Sequence, residues 1–329
     1  MRICIFGAGA VGSFVAAGLA RDGKKVCAIA RGAHLRAIQT DGLRLQCGAD
    51  DFTVRIPASE DPAALGQQDL VIVAAKTPGL PQVARSIAPL LHQDTAVAFA
   101  VNGVYWFYGE GFAPQGIVPD TARLDPGGAL RQAIGARRSL GIVINSPNEI
   151  TAPGVVLNTR PGANQFVIGE ALREAGTARP AAIAAHLSGS LFKWDASGDI
   201  RRDMWNKLAR NAASSPICSL TQSAVAAAYS DPDLQPLVTA LMEEAMAVAA
   251  AHGFTGLTAN PKADLASGMK LQHRPSMLQD LERGRAMEID SQLTIMRDFA
   301  RQAGVATPVL ERLLPILMLR ARSAGCYPA

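Results

Sequence analysis

The residues best suited to chemistry fall in three short stretches of this sequence. Trp205-Asn206-Lys207-Leu208-Ala209-Arg210-Asn211 lies in a helical run, where Lys207 and Asn211 are four apart and share one face. A lysine in mid-helix is ordinarily solvated. In an apolar helix, however, desolvation lowers the ammonium pKa toward the range in which it can protonate a developing alkoxide. Further along come Ser276-Met277-Leu278-Gln279-Asp280, then Arg285 and Glu288-Ile289-Asp290. The apolar period predicts one helix over 276–303, which puts Ser276 and Glu288 twelve residues, or roughly 18 Å, apart. They would then do different jobs. Ser276 at a helix start can donate to a carboxylate, and Glu288 can accept from a hydroxyl. The plainer alternatives are an N-cap for Ser276 and a surface ion pair with Arg285 for Glu288.

The third stretch is at the N-terminus. Gly7-Ala8-Gly9-Ala10-Val11-Gly12 matches G-x-G-x-x-G, follows a predicted strand and opens a predicted helix, which is the context in which the pattern binds a dinucleotide. Gly7 would permit the tight turn, Gly9 the approach of a pyrophosphate, and Gly12 close helix–strand packing. The end of the second predicted strand carries Ala30-Arg31, with no Asp or Glu before Asp41. An arginine there suits a 2′-phosphate, so the expected cofactor is NADP(H). Lys76 and Asn102-Gly103 follow two further predicted strands, at the carboxyl ends where ligands of open α/β sheets bind.

These residues need a scaffold, and the first half of the chain supplies an α/β pattern. Arg2–Phe6, 25–30, 69–75 and 95–101 are short apolar runs, alternating with helical stretches to about Ala20 and over 80–91. Further β-runs at 141–144, 154–158 and 165–168 are expected to extend the same sheet. Tyr105–Gly128 is an irregular insert rich in Gly, Pro and aromatics; long loops of this kind are usually functional or mobile. From about Asp199 the period becomes helical, over 203–213, 234–252 and 276–303. The expected fold is an α/β Rossmann-type dinucleotide-binding domain, residues 1–196, followed by an all-α domain, residues 197–329.

Composition narrows the classes. Of the 329 residues, 49% are hydrophobic and 18% charged, which excludes disorder. A net charge of +4, spread thinly, and 5% aromatics do not make a nucleic-acid surface. The cysteines Cys4, Cys27, Cys47, Cys218 and Cys326 form no C-x-x-C pair, and no His clusters with them, so neither a disulfide framework nor a metal site is expected. The apolar start, residues 2–20, is broken by glycines and runs into a charged turn, and no membrane span follows. A cytoplasmic protein is expected.

Taken together, GAGAVG at the N-terminus, the strand ending in Lys76, Asn102-Gly103, the W-x-K-L-x-x-N helix, and SMLQD followed by E-I-D resemble the ketopantoate reductase (2-dehydropantoate 2-reductase) family over nearly the whole chain. The resemblance implies NADPH-dependent reduction of a 2-oxo acid, with Lys207 as general acid. Asn102 would contact nicotinamide ribose and substrate, Lys76 and Glu288 would hold the cofactor, and Asn211 and Ser276 would hold the substrate hydroxyl and carboxylate. The chain also departs from the family pattern. Ser215 stands where a second substrate-binding Asn is usual, Val225 replaces a further Asn, and Ser291-Gln292 follows E-I-D where many members have Asn-Gly. These changes bear on the substrate rather than on hydride chemistry. The readings carried forward are reduction of 2-dehydropantoate, reduction of another 2-oxo acid or carbonyl compound, and a non-catalytic NADP-binding redox sensor. The expected partner is a small 2-oxo acid, with a homodimer allowed.

Overall fold

The computed structural model describes residues 1–112 and 116–328 and divides into two compact units. The first comprises 1–101 and 125–200, the second 102–124 and 201–329. Residues 102–124 thus pack with the second unit, where a contiguous 1–196 segment would have kept them in the first. Asn102 goes with them.

The first unit is built on an eight-stranded sheet. Its strands are β1 (Arg2–Phe6), β2 (Lys25–Ile29), β5 (Ala58–Ser59), β6 (Leu70–Val73), β7 (Ala96–Phe99), β8 (Ser139–Asn145), β11 (Gln165–Glu170) and β12 (Lys193–Ala196), in the order β12-β11-β8-β7-β6-β1-β2-β5. All neighbouring pairs are parallel except β8–β11. β6 (LVIV) and β7 (AVAF) are buried throughout, which explains why they read as unbroken apolar runs. The chain leaves β1 toward β2 and returns to β6 on the opposite side. The space after β1 and β6 is therefore a topological switch point, the usual ligand position in such sheets.

The 154–158 run does not extend this sheet. It forms β10 (Val155–Asn158), which joins β3 (Leu43–Cys47), β4 (Asp50–Val54) and β9 (Asn148–Ala152) in a separate sheet of order β4-β3-β10-β9. The β3–β4 hairpin escapes a hydrophobic reading because β4 (DDFTV) alternates between exposed and half-buried residues. The helix Ala10–Arg21 is buried from Gly12 to Leu19 and packs against strands of both sheets, which accounts for its apolar character on all sides.

The second unit is helical. Its longest helix, Ile200–Thr221, extends past the expected 203–213 and runs on through Pro216. A second helix spans Gln235–Ala251. The expected single helix 276–303 is instead broken. It stops after Ser276–Glu282, where Gly284 takes a left-handed φ of 61° and the N–H of Arg285 bonds back to the Asp280 carbonyl at 2.8 Å. A π-turn, Asp290–Thr294, leads into the helix Ile295–Gln302. Ser276 and Glu288 therefore do not lie on one straight helix, and the expected rise of roughly 18 Å between them does not hold.

The insert is anchored at its start. Tyr105, Trp106, Phe107 and Tyr108 are buried, and the fully buried guanidinium of Arg201 donates to the carbonyls of Tyr108 (2.8 Å), Phe107 (3.2 Å) and Glu110 (2.9 Å). Residues 113–115 of the insert lie outside the described residues. All five cysteines are free and buried, and among the described residues no helix is long and apolar enough to cross a membrane.

Candidate functional site

In the first unit the candidate residues form a backbone cradle after β1. Gly7, with φ of 105°, donates to the Ile29 carbonyl at 3.1 Å, and a Cβ there would lie 2.9 Å from the Ala75 nitrogen. At Gly12 a Cβ would lie 2.2 Å from the Gly7 oxygen and 2.9 Å from the Ile5 side chain. Gly9 differs from both, since a Cβ there would meet nothing within 4 Å. Protein packing therefore demands glycine at 7 and 12 but leaves open space over Gly9. That space lies at the N-terminus of the Ala10–Arg21 helix, whose first N–H groups lack intrahelical acceptors. A dinucleotide's pyrophosphate fits these features, with Ala8, Ala10 and Val11 supplying the intervening backbone.

The cradle is braced from behind. His34 Nδ1 accepts from the Gly154 N–H at 3.0 Å, which leaves its Nε2 to donate to the buried Ser13 hydroxyl at 3.0 Å. Burial lowers the His34 pKa and favours this neutral ring. Arg31 is exposed at the start of the helix Gly32–Thr40, with no ion-pair partner among the described residues. The end of β2 also has an acidic neighbour from a distant segment. The Ala30 N–H bonds to the Ser59 carbonyl at 3.1 Å, and Glu60 is next in the chain. Lys76 follows β6 at the start of a short 3-10 turn, Thr77–Gly79.

In the second unit three separate segments converge. Lys207 Nζ donates to Asn102 Oδ1 at 2.8 Å, and Asn102 Nδ2 donates to Glu288 Oε2 at 3.4 Å. Gly103 makes this approach possible. Its φ is 86°, and a Cβ would lie 2.1 Å from the Ser291 oxygen, which accepts from the Val104 N–H at 2.7 Å. Ser291 Oγ in turn donates to the Asn102 carbonyl at 3.0 Å. Asn102 is thus held at its backbone by the π-turn and at its side chain by a cation and a carboxylate. Glu288 is 7% exposed, and Arg285 pairs with Asp280 at 3.3 Å, so the alternative of a surface pair between Arg285 and Glu288 does not hold. Burial lowers the Lys207 pKa to about 8, with the Glu288 carboxylate opposing the shift. An ammonium so placed can serve as a proton donor near neutral pH.

Asn211 lies one turn beyond Lys207 and donates from Nδ2 to Gln292 Oε1 at 3.1 Å. Ser215, a further turn along, is buried, as is Val225. Ser276 is exposed at the first position of its helix, and the N-cap position belongs to Pro275, so it is not the N-cap. No hydrogen bond joins Ser276 to the Lys207 cluster among the described residues.

A 2-dehydropantoate 2-reductase of Mesorhizobium japonicum is 35% identical to this chain over 99% of its length and 100% of the relative's. The chain belongs to the ketopantoate reductase family. Models described as ketopantoate reductase PanE/ApbA and its C-terminal part match residues 3–106 and 199–321. A solved chain from Ralstonia solanacearum MolK2, provisionally designated a ketopantoate reductase, is 37% identical and superposes with a TM-score of 0.90 over 99% of both chains. A D-mandelate dehydrogenase solved with NADH and anilino(oxo)acetate shares the fold, at 21% identity and a TM-score of 0.82 over 99% of both chains. As a ketopantoate reductase family member the protein is an oxidoreductase acting on CH–OH groups, with a dinucleotide-binding fold.

Two residues of the Lys207 cluster escape a motif reading. Ser291 and Gln292 register in the sequence only as departures from the family pattern. The sole local clue to their position is the glycine after Asn102, which signals a close backbone approach.

Proposed function

We propose that the chain is an NADPH-dependent 2-dehydropantoate 2-reductase that forms (R)-pantoate for pantothenate biosynthesis. The observation that carries this reading is the Lys207–Asn102 contact at 2.8 Å, beside buried Glu288, with the ammonium pKa lowered to about 8. When bound, the reduced nicotinamide supplies hydride to the ketone carbon. Lys207 gives its proton to the carbonyl oxygen as that oxygen gains negative charge, and the ketone becomes a secondary alcohol. Asn102 orients the ammonium through Oδ1, and Glu288 supports the charged form of Lys207.

Gly7 to Gly12 hold the pyrophosphate, Arg31 pairs with the 2′-phosphate, and Lys76, Asn102 and Glu288 complete cofactor binding. Asn211 and Ser215 lie on the substrate side of the Lys207 helix, and Ser276 takes the carboxylate. A cytoplasmic location and a homodimer are consistent with this role. A second reading keeps the chemistry and changes the acid. It is favoured by the short hydroxyl of Ser215 and the apolar Val225, which leave fewer amides to read a substrate.

The test is NADPH oxidation at 340 nm with purified protein, ketopantoate and a panel of other 2-oxo acids. Marked preference for ketopantoate is expected. Efficient turnover of another acid, with ketopantoate poor, would transfer the assignment to the second reading, and no turnover of any would revive the sensor.

A further inference from the structure

Gln292 is 1% exposed and uses both ends of its side chain. Nε2 donates to the Glu288 carbonyl at 3.4 Å, while Oε1 accepts from Asn211 Nδ2 at 3.1 Å. A carboxamide oxygen only accepts and its NH2 only donates, so this order of bonds also fixes Asn211. With Nδ2 committed to Gln292, Asn211 turns its Oδ1 away, and that oxygen has no protein donor among the described residues. Asn211 shares its helix face with Lys207, one turn away, so the outward oxygen is an acceptor beside the proton donor.

The position of Gln292 is itself unusual. It sits in the π-turn Asp290–Thr294, a widened turn of a kind often found at functional sites, and the preceding residue, Ser291, holds the Asn102 backbone. The same turn therefore sets the orientation of both amides that flank Lys207. Filling space alone would not need a glutamine, since a hydrocarbon of the same volume avoids the cost of burying an amide.

We infer that Gln292 is a positioning residue for substrate selection: it locks the Asn211 amide so that Oδ1 accepts from a hydroxyl of the acid being reduced. Its effect is to favour 2-oxo acids with a side-chain hydroxyl over isosteric acids without one. This rests on the reading of Lys207 as the proton donor.

The test compares ketopantoate with its deoxy counterpart, 3,3-dimethyl-2-oxobutanoate, which lacks only the hydroxyl. The readout is the ratio of their kcat/KM values at saturating NADPH. In Gln292→Met that ratio should fall at least about tenfold, as expected for a lost directed hydrogen bond. Gln292→Glu, which keeps an acceptor for Asn211, should hold the ratio within about threefold and serves if the Met variant does not fold. In an Asn211→Ala background, Gln292→Met should move the ratio by less than about twofold, because the two act as one unit. Equal losses on both acids in Gln292→Met, or a collapse in Gln292→Glu as deep as in Gln292→Met, would overturn the inference alone. Failure of the wild-type protein to oxidise NADPH with either acid would overturn the underlying reading, and the inference with it.

Discussion

In the first unit the groups suited to a ligand are backbone, whereas in the second they are side chains that other side chains hold. The cradle at Gly7–Gly12 comes from six consecutive residues, and its shape follows from which glycines the protein itself crowds. Lys207, Asn102 and Glu288 come from segments about a hundred residues apart, and the cluster is held by further contacts: Gly103 against Ser291 and Ser291 on the Asn102 carbonyl, with Gln292 on neighbouring Asn211. A backbone site tolerates change in most side chains but not in its glycines. A side-chain cluster can fail through a residue that touches no ligand.

The largest expected effect falls on the second unit. Lys207→Ala should lower kcat by about two to four orders of magnitude while leaving NADPH affinity near normal, measured by steady-state kinetics and cofactor titration. A loss below about tenfold would remove the general-acid role.

The first unit can be divided by its own glycines. Gly12→Ala places a methyl against the Gly7 oxygen and should cost about 3 kcal/mol of stability in a denaturant melt. Gly9→Ala meets no protein atom, so it should cost less than about 1 kcal/mol. Its effect should appear instead as weaker NADPH binding, by about tenfold or more as hydrogen bonds to the pyrophosphate are lost. If both variants changed stability alike, the space over Gly9 would not be a ligand position.

A smaller effect is expected at the cofactor's far end. Arg31→Ala should raise the KM for NADPH about tenfold and leave that for NADH nearly unchanged, since only one of them carries the 2′-phosphate. Equal effects on the two would shift attention to Glu60, which the β2–β5 pairing brings alongside.

The difference between the units also governs what can be read from sequence. β1, β6 and β7 are buried on both faces, so composition alone reveals them, and the glycine cradle that follows β1 is contiguous. The second sheet is obscured because β4 alternates exposed and half-buried residues and because β3 finds β10 across more than a hundred positions. The apolar period on either side of Glu282-Arg283-Gly284-Arg285 reads as one helix over 276–303, yet Gly284 turns left-handed and interrupts it. The π-turn leaves no signature in a 3.6-residue pattern, so Ser291 and Gln292 register as departures rather than as contacts. Glu288 illustrates the same limit: its type suggests chemistry, but only the fold shows that Arg285 is engaged elsewhere and that Asn102 is its neighbour.

The most direct measurement is the pH dependence of kcat for ketopantoate reduction, in the wild-type enzyme with NADPH saturating. Burial brings the Lys207 pKa down to about 8, and only the protonated ammonium can donate. Rates should therefore be full below that pH and fall about tenfold per unit above it. A kcat that stays level to pH 10, well past that value, would contradict Lys207 as the proton donor.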